Sequence, residues 1–145
     1  MLDRQEYIEI ILDHHENPRH KHRMEDATVQ LGGGNPGCGD LITMYLKIED
    51  DRIAEASYVG EGCTISQAGG SIMTEVLEGL TLDEVIDLGK ETMIEEIGED
   101  AVKSRVRCAT LALGTAQAAV KQYREGQRRK EQGLDPVEEP VAFEN

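Results

Sequence analysis

No run of the chain approaches the roughly 20 apolar residues that span a bilayer, so a membrane-crossing helix is not expected. Positive charge is scarce. Fifteen Lys and Arg stand against 29 Asp and Glu, a formal net charge of −14, and a surface that negative repels phosphate backbones and anionic headgroups. Neither nucleic acid nor membrane is an expected partner. Internal repeats and low-complexity tracts are missing, and 145 residues suit one domain with a single modest core. Cysteine is sparse: three residues at wide spacing, with no C-x-x-C pair, cannot close a disulfide framework. The opening MLDRQEYIEIILDHH sets acids among its apolar positions, unlike a secretory leader. The expected compartment is the cytoplasm, where thiols more often serve metal binding or catalysis than bridges.

What is present is strongly patterned. Asp3 with Glu6 fits a helix start, and Tyr7, Ile8, Ile11, Leu12 and His15 share a stripe that Asn17-Pro18 stops. Thr28 to Leu31 reads as a short strand, and residues 41–49 alternate, with Ile42, Met44, Leu46 and Ile48 on one face. Asp50-Asp51 turns the chain into a third strand over 52–59. The period then changes to that of a helix: Ile65, Ala68, Gly69, Ile72, Met73, Val76, Leu77 and Leu80 recur behind a Thr64-x-x-Gln67 capping box. Thr81-x-x-Glu84 and Thr92-x-x-Glu95 repeat that signal, with Gly89 and Gly98 placed to end two short helices. A last long helix starts near Cys108 and carries Ala109, Ala112, Ala116, Ala119 and Tyr123. The expected architecture is an α+β domain over residues 1–132, an antiparallel three-stranded sheet half covered by helices. Residues 133–145, with two prolines, Glu138, Glu139 and Glu144, are expected to form an acidic mobile tail. The acids Glu95, Glu96, Glu99 and Asp100 read as a solvated face.

Chemistry concentrates around the thiols. Residues 32–40, GGGNPGCGD, hold five glycines around Cys38 and Asp40 and read as a loop that exposes both at its tip. Its formal match to G-x-G-x-x-G is rejected, because Pro36 interrupts it and a strand follows where a dinucleotide or phosphate loop needs a helix. Cys63 and Cys108 each precede a helix start, where the helix dipole favours thiolate. Three thiolates and Asp40 form a Cys3Asp donor set suited to tetrahedral zinc or to one edge of an iron-sulfur cluster. Buried thiols that merely pack are the competing explanation, against which the Gly-rich loop, the helix starts and the adjacent carboxylate all weigh. His14, His15, His20 and His22 read as surface or packing residues, and Arg107 either as a partner of Cys108 or Asp40 or as a solvated cation.

Four blocks in order, ILDHHENPR (11–19), NPGCGD (35–40), GEGCTISQAGGSIM (60–73) and VRCATLAL (106–113), resemble the U-type iron-sulfur cluster assembly scaffolds, the IscU/SufU (NifU N-terminal-like) family. The resemblance runs from about residue 5 to about residue 125 and implies that family's fold, a three-stranded antiparallel sheet packed on helices with a metal site at one exposed end. It carries the family's ligands onto Cys38, Asp40, Cys63 and Cys108. Arg107 stands where the IscU branch has a histidine, as in the SufU branch, and EDAVKSRVR (99–107) replaces the IscU chaperone-docking stretch. The SufU insertion between the second and third cysteines is absent, so the chain mixes features of both branches.

The resemblance implies a scaffold rather than an enzyme. Sulfur would arrive as persulfide from a cysteine desulfurase onto Cys108 or Cys38, join iron as a [2Fe-2S] cluster, and pass to apo iron-sulfur proteins or carriers. A homodimer sharing one cluster would supply the thiolates that three cysteines per chain lack. The alternative is a zinc-bound carrier in which zinc occupies the same four ligands until a desulfurase displaces one.

Overall fold

The Asp3 side chain accepts the Glu6 N–H at 2.9 Å while the Glu6 carboxylate accepts the Asp3 N–H, and this closed capping box starts α1 (Arg4–Glu16). In the structure, a computed structural model describing residues 2–35, 37, 39–133 and 142–143, that helix is followed by the sheet. Strands β1 (Val29–Asn35), β2 (Asp40–Glu49) and β3 (Arg52–Glu61) pair antiparallel in chain order. Asp50 and Asp51, at φ +53° and +58°, make the two-residue turn between β2 and β3, the conformation that matches strand twist. The other helices are α2 (Thr64–Leu77), α3 (Leu82–Asp87), α4 (Lys90–Ile97), α5 (Glu99–Ser104) and α6 (Val106–Glu131).

The expected sheet face is the buried one. Ile42, Met44, Leu46 and Ile48 join Leu31, Ile53 and Tyr58 in the core, covered by Ala68, Ile72, Met73 and Leu77 of α2 and by Ala109, Ala112, Ala116 and Ala119 of α6. Small residues let both helices come close. A Cβ at Gly70 would lie 2.8 Å from the Tyr58 ring and 2.9 Å from Ile42 Cδ1, and one at Gly33 would overlap Thr115 Oγ1.

That approach corrects one expectation. Gly32, Gly33 and Gly34 are not loop but the second half of β1, because α6 passes over Gly33 too closely for any side chain. Other boundaries also differ. Cys63, not Thr64, caps α2, and Gly89 opens α4 instead of ending a helix, so Thr92 lies inside α4. Gly98, at φ +93°, ends α4 and opens α5, a helix the sequence pattern did not reveal. Helix α1 buries Ile11 and His14, leaves His15 exposed, and keeps Ile8 and Leu12 at 39% and 45% exposure, so the expected stripe is rotated by one position.

A two-residue strand β4 (Ala142–Phe143) adds to the sheet, parallel to β1 through Gly33 and Gly34, giving the order β3-β2-β1-β4. The rest of the expected tail, 134–141 and 144–145, lies outside the described residues. Among the described residues no helix is long and apolar enough to cross a membrane.

Candidate metal and sulfur site

Three elements end at one place. Asp40 is the first residue of β2, Cys63 is the N-cap of α2, and Cys108 is the third residue of α6. The register Asn35↔Asp40 and the bond from Gly39 N–H to the Asn35 carbonyl at 3.0 Å close the β1–β2 turn beside them. Cys38, which follows Gly37 in that turn's sequence, lies outside the described residues.

Asp40 is fully buried and organises the site. Its Oδ1 accepts the Cys63 N–H at 2.8 Å, and its Oδ2 lies 3.0 Å from Cys108 Sγ and 3.9 Å from Cys63 Sγ. The donor atoms of Asp40, Cys63 and Cys108 all fall within 4.8 Å of one another. A tetrahedral zinc ion at ~2.3 Å from sulfur and ~2.0 Å from oxygen holds its donors roughly 3.5–3.8 Å apart. The donor set and its spacing therefore fit a thiophilic cation with movements below about 1 Å. Asn35, 1% exposed, points Nδ2 at Cys108 Sγ at 3.9 Å, and Ser66 gives Cys63 Sγ its N–H at 3.4 Å. Gly62 completes the frame: at φ +144° it carries the chain from β3 into α2 directly over Asp40, and a Cβ there would overlap Asp40 Oδ1.

Burial pushes the Asp40 carboxyl up, but the Cys63 N–H and the hydrogens of Cys108, Ser66 and Cys63 outweigh it and hold the group below the usual aspartate range. Cys108 goes the other way. Burial first, and the hydrogen bond to Asp40 next, push its thiol far up. The expectation that the helix start favours thiolate at Cys108 is thus corrected, since dipole stabilisation is outweighed by desolvation and an adjacent carboxylate. A bound cation would take the place of the shared proton, so metal uptake and proton release go together.

The site opens to the exterior. A recess of about 350 Å³ lined by Ser104, Arg105, Val106, Arg107 and Cys108 reaches the third cysteine. Leu41, which follows Asp40, and Val106, two residues before Cys108, are 51% and 46% exposed and leave apolar surface at this end. Arg107 is exposed and forms no ion pair with Asp40.

The histidines stay away from this centre. His14 is buried against α2, with Nδ1 2.7 Å from Ser71 Oγ, which also accepts the Arg19 N–H, and Nε2 3.8 Å from Glu75. Burial, reinforced by the Arg19 charge and opposed by Glu75 and Asp13, lowers its pKa below the usual histidine value of about 6.5. Below that value the unfolded chain takes a proton that the folded chain refuses, so this group removes stability as the pH falls from about 6.5. Denaturant titrations at stepped pH are expected to show a shallower acid loss in His14→Gln than in the parent; identical slopes would contradict the assignment.

The chain is an α+β domain that carries a centre of thiols and a carboxylate where the ends of β2, α2 and α6 meet. The family model described as NifU-like N terminal domain matches residues 6–130. The chain is 32% identical over 133 residues to the iron-sulfur cluster assembly scaffold protein IscU 1 of Archaeoglobus fulgidus, covering 92% of this chain and 84% of that protein. It is 33% identical over 125 residues to the zinc-dependent sulfurtransferase SufU of Bacillus subtilis, covering 73% and 83%. A solved structure of a candidate iron-sulfur cluster assembly scaffold for the SUF system from Fervidobacterium islandicum superposes with TM-score 0.66 at 27% identity, covering 77% of this chain and 94% of that one. The chain belongs to the NifU-like N-terminal domain family, as its four motif blocks led us to expect.

Sequence reasoning singled out Asp40, Cys63 and Cys108, and the structure brings these three together. It missed Asn35, Ser66 and Gly62. For Asn35 a signal existed, a polar residue ending a strand ahead of Pro36; Ser66 gives its N–H to Cys63 Sγ and its hydroxyl to the Cys63 carbonyl, and nothing in the sequence marks either contact.

Proposed function

We propose that the chain is a scaffold for iron-sulfur cluster assembly, holding its cargo on Cys38, Asp40, Cys63 and Cys108. The observation that carries this reading is the convergence of Asp40, Cys63 and Cys108 donors within 4.8 Å at an open end of the fold. The scaffold names of the relatives support it.

Sulfur transfer follows from thiol chemistry. The sulfur of Cys108 or Cys38 attacks the outer sulfur of a desulfurase persulfide, breaking its S–S bond and forming Cys–S–SH here, while the attacking thiol's proton passes to the released donor thiolate with no net redox change. Turning that sulfur into sulfide takes two electrons from an external low-potential electron donor, after which iron and sulfide combine as a [2Fe-2S] cluster. Asp40 is the hard corner among soft donors and holds cluster iron less firmly than a thiolate, which favours release to apo iron-sulfur proteins or carriers. Two chains sharing a cluster would complete an all-thiolate set, and size exclusion with and without cluster tests this: loading is expected to double the mass, and a loaded monomer would overturn the sharing.

A zinc-bound sulfur carrier is the second reading, favoured by three donors that shifts below about 1 Å would bring to one tetrahedral ion and by the zinc-dependent sulfurtransferase among the relatives. Cysteine desulfurase turnover separates a sulfur acceptor from a bystander. Parent protein is expected to accelerate it and Cys108→Ser and Cys38→Ser to fail; equal acceleration by both variants would remove sulfur acceptance from these thiols.

A further inference from the structure

The buried polar content of this end exceeds the ligands. Asn35 is 1% exposed, with its backbone fixed by pairing to Asp40. Its Nδ2 faces Cys108 Sγ at 3.9 Å, while its buried Oδ1 has no hydrogen-bond partner among the described residues. An amide that leaves an acceptor orphaned weakens the fold, so packing alone is a poor account of asparagine here.

The two described sulfurs are served differently. Cys63 Sγ accepts the main-chain N–H of Ser66, a donor that no side-chain substitution removes. For Cys108 Sγ, the side chain of Asn35 is the one N–H partner among the described residues. The donor to Cys108 is therefore the one that sequence can set.

We propose that Asn35 is a positioning residue for the metal and sulfur site, its amide N–H orienting and stabilising the Cys108 sulfur while that sulfur is a ligand. The inference rests on the reading of the site as a metal centre. When a cation replaces the hydrogen that Cys108 shares with Asp40, the sulfur becomes a pure acceptor and Asn35 supplies its hydrogen bond. Such a bond lowers the energy of the sulfur lone pairs, so sulfur-to-metal charge transfer costs more energy and bound iron is easier to reduce. Removing the amide reverses both effects.

The test uses the full chain with zinc and with cobalt(II) as the spectroscopic probe, in the parent, Asn35→Ala and Asn35→Thr. Both variants are expected to bind zinc about tenfold more weakly, the usual scale for a lost outer-shell partner. Their sulfur-to-cobalt band is expected at longer wavelength, and the metal-free thermal midpoint unchanged or higher, because the orphaned oxygen leaves with the side chain. Parent-like zinc affinity and band position in the variants would overturn the inference. So would a metal-free midpoint that falls while the band stays in place, the mark of a packing role only. Should Asn35→Ala fail to fold, Asn35→Thr, similar in volume, decides the matter. Failure of the parent to bind zinc or cobalt would defeat the metal-centre reading along with the role of Asn35, whereas a binding parent with unmoved variants would defeat Asn35 alone.

Discussion

Cys108→Ser is expected to lower zinc affinity by at least about 100-fold, beyond the 10–100-fold that loss of an outer-shell partner costs, and to leave no cluster after anaerobic purification. Cys108 is 3% exposed, its Sγ is 3.0 Å from Asp40 Oδ2, and all three described donor atoms fall within 4.8 Å of one another. A serine hydroxyl is nearly isosteric and can still donate to the carboxylate, so the metal-free fold should survive with its thermal midpoint within a few degrees. That separation matters. A collapse of both fold and affinity would say that Cys108 is a packing residue, while a lost affinity on an intact fold says that it is a ligand. Competition against a chromophoric zinc chelator, paired with thermal unfolding of the chelated protein, reads both quantities. Unchanged zinc affinity would contradict the ligand assignment.

Gly62→Ala is expected to be the most damaging change that touches no donor atom. Two costs combine at this position. A side chain at φ +144° is strained by about 1–3 kcal/mol, and the new Cβ would overlap Asp40 Oδ1 and lie 2.9 Å from Asp40 Cα. The second neighbour is backbone and cannot rotate away, so either β2 or the β3–α2 junction must shift. A loss of about 3 kcal/mol follows, a fall of roughly 10 °C in thermal midpoint for a domain of this size. Metal affinity should fall as well, because Asp40 holds the Cys63 N–H and both sulfurs together. A midpoint within about 2 °C of the parent would show that the junction relaxes freely and that Gly62 does not set the site.

Much of this was legible in the sequence, and the failures share a cause. The alternation of Ile42, Met44, Leu46 and Ile48 located the buried face of β2, and the closed capping boxes at Asp3 and Thr81 located two helix starts, since each signal is local. Gly32 to Gly34 were misread because glycine in a loop and glycine beneath a helix look alike, and the distinction lies in Thr115, some 80 residues away. Cys63 was placed correctly at a helix start but not as the cap itself, a role that Thr64 matches better by residue type. At Cys108 the local rule pointed the wrong way: a helix start favours thiolate, but burial under the fold, with Asp40 arriving from β2, reverses the balance. Residue types named four ligands, and the fold gathers the three that lie among the described residues, while the partners that position them came from tertiary approach.

If Asp40 and the three cysteines hold iron and sulfide as transferable cargo, both should accompany the protein through purification. Anaerobic purification without added metal, followed by iron, zinc and acid-labile sulfide analysis with a visible spectrum on one sample, tests it most directly. Iron and sulfide are expected in equal amounts with a cluster chromophore, both lost in Cys63→Ser. A protein with neither iron nor sulfide that also fails to acquire them from a desulfurase, cysteine and ferrous iron would contradict it.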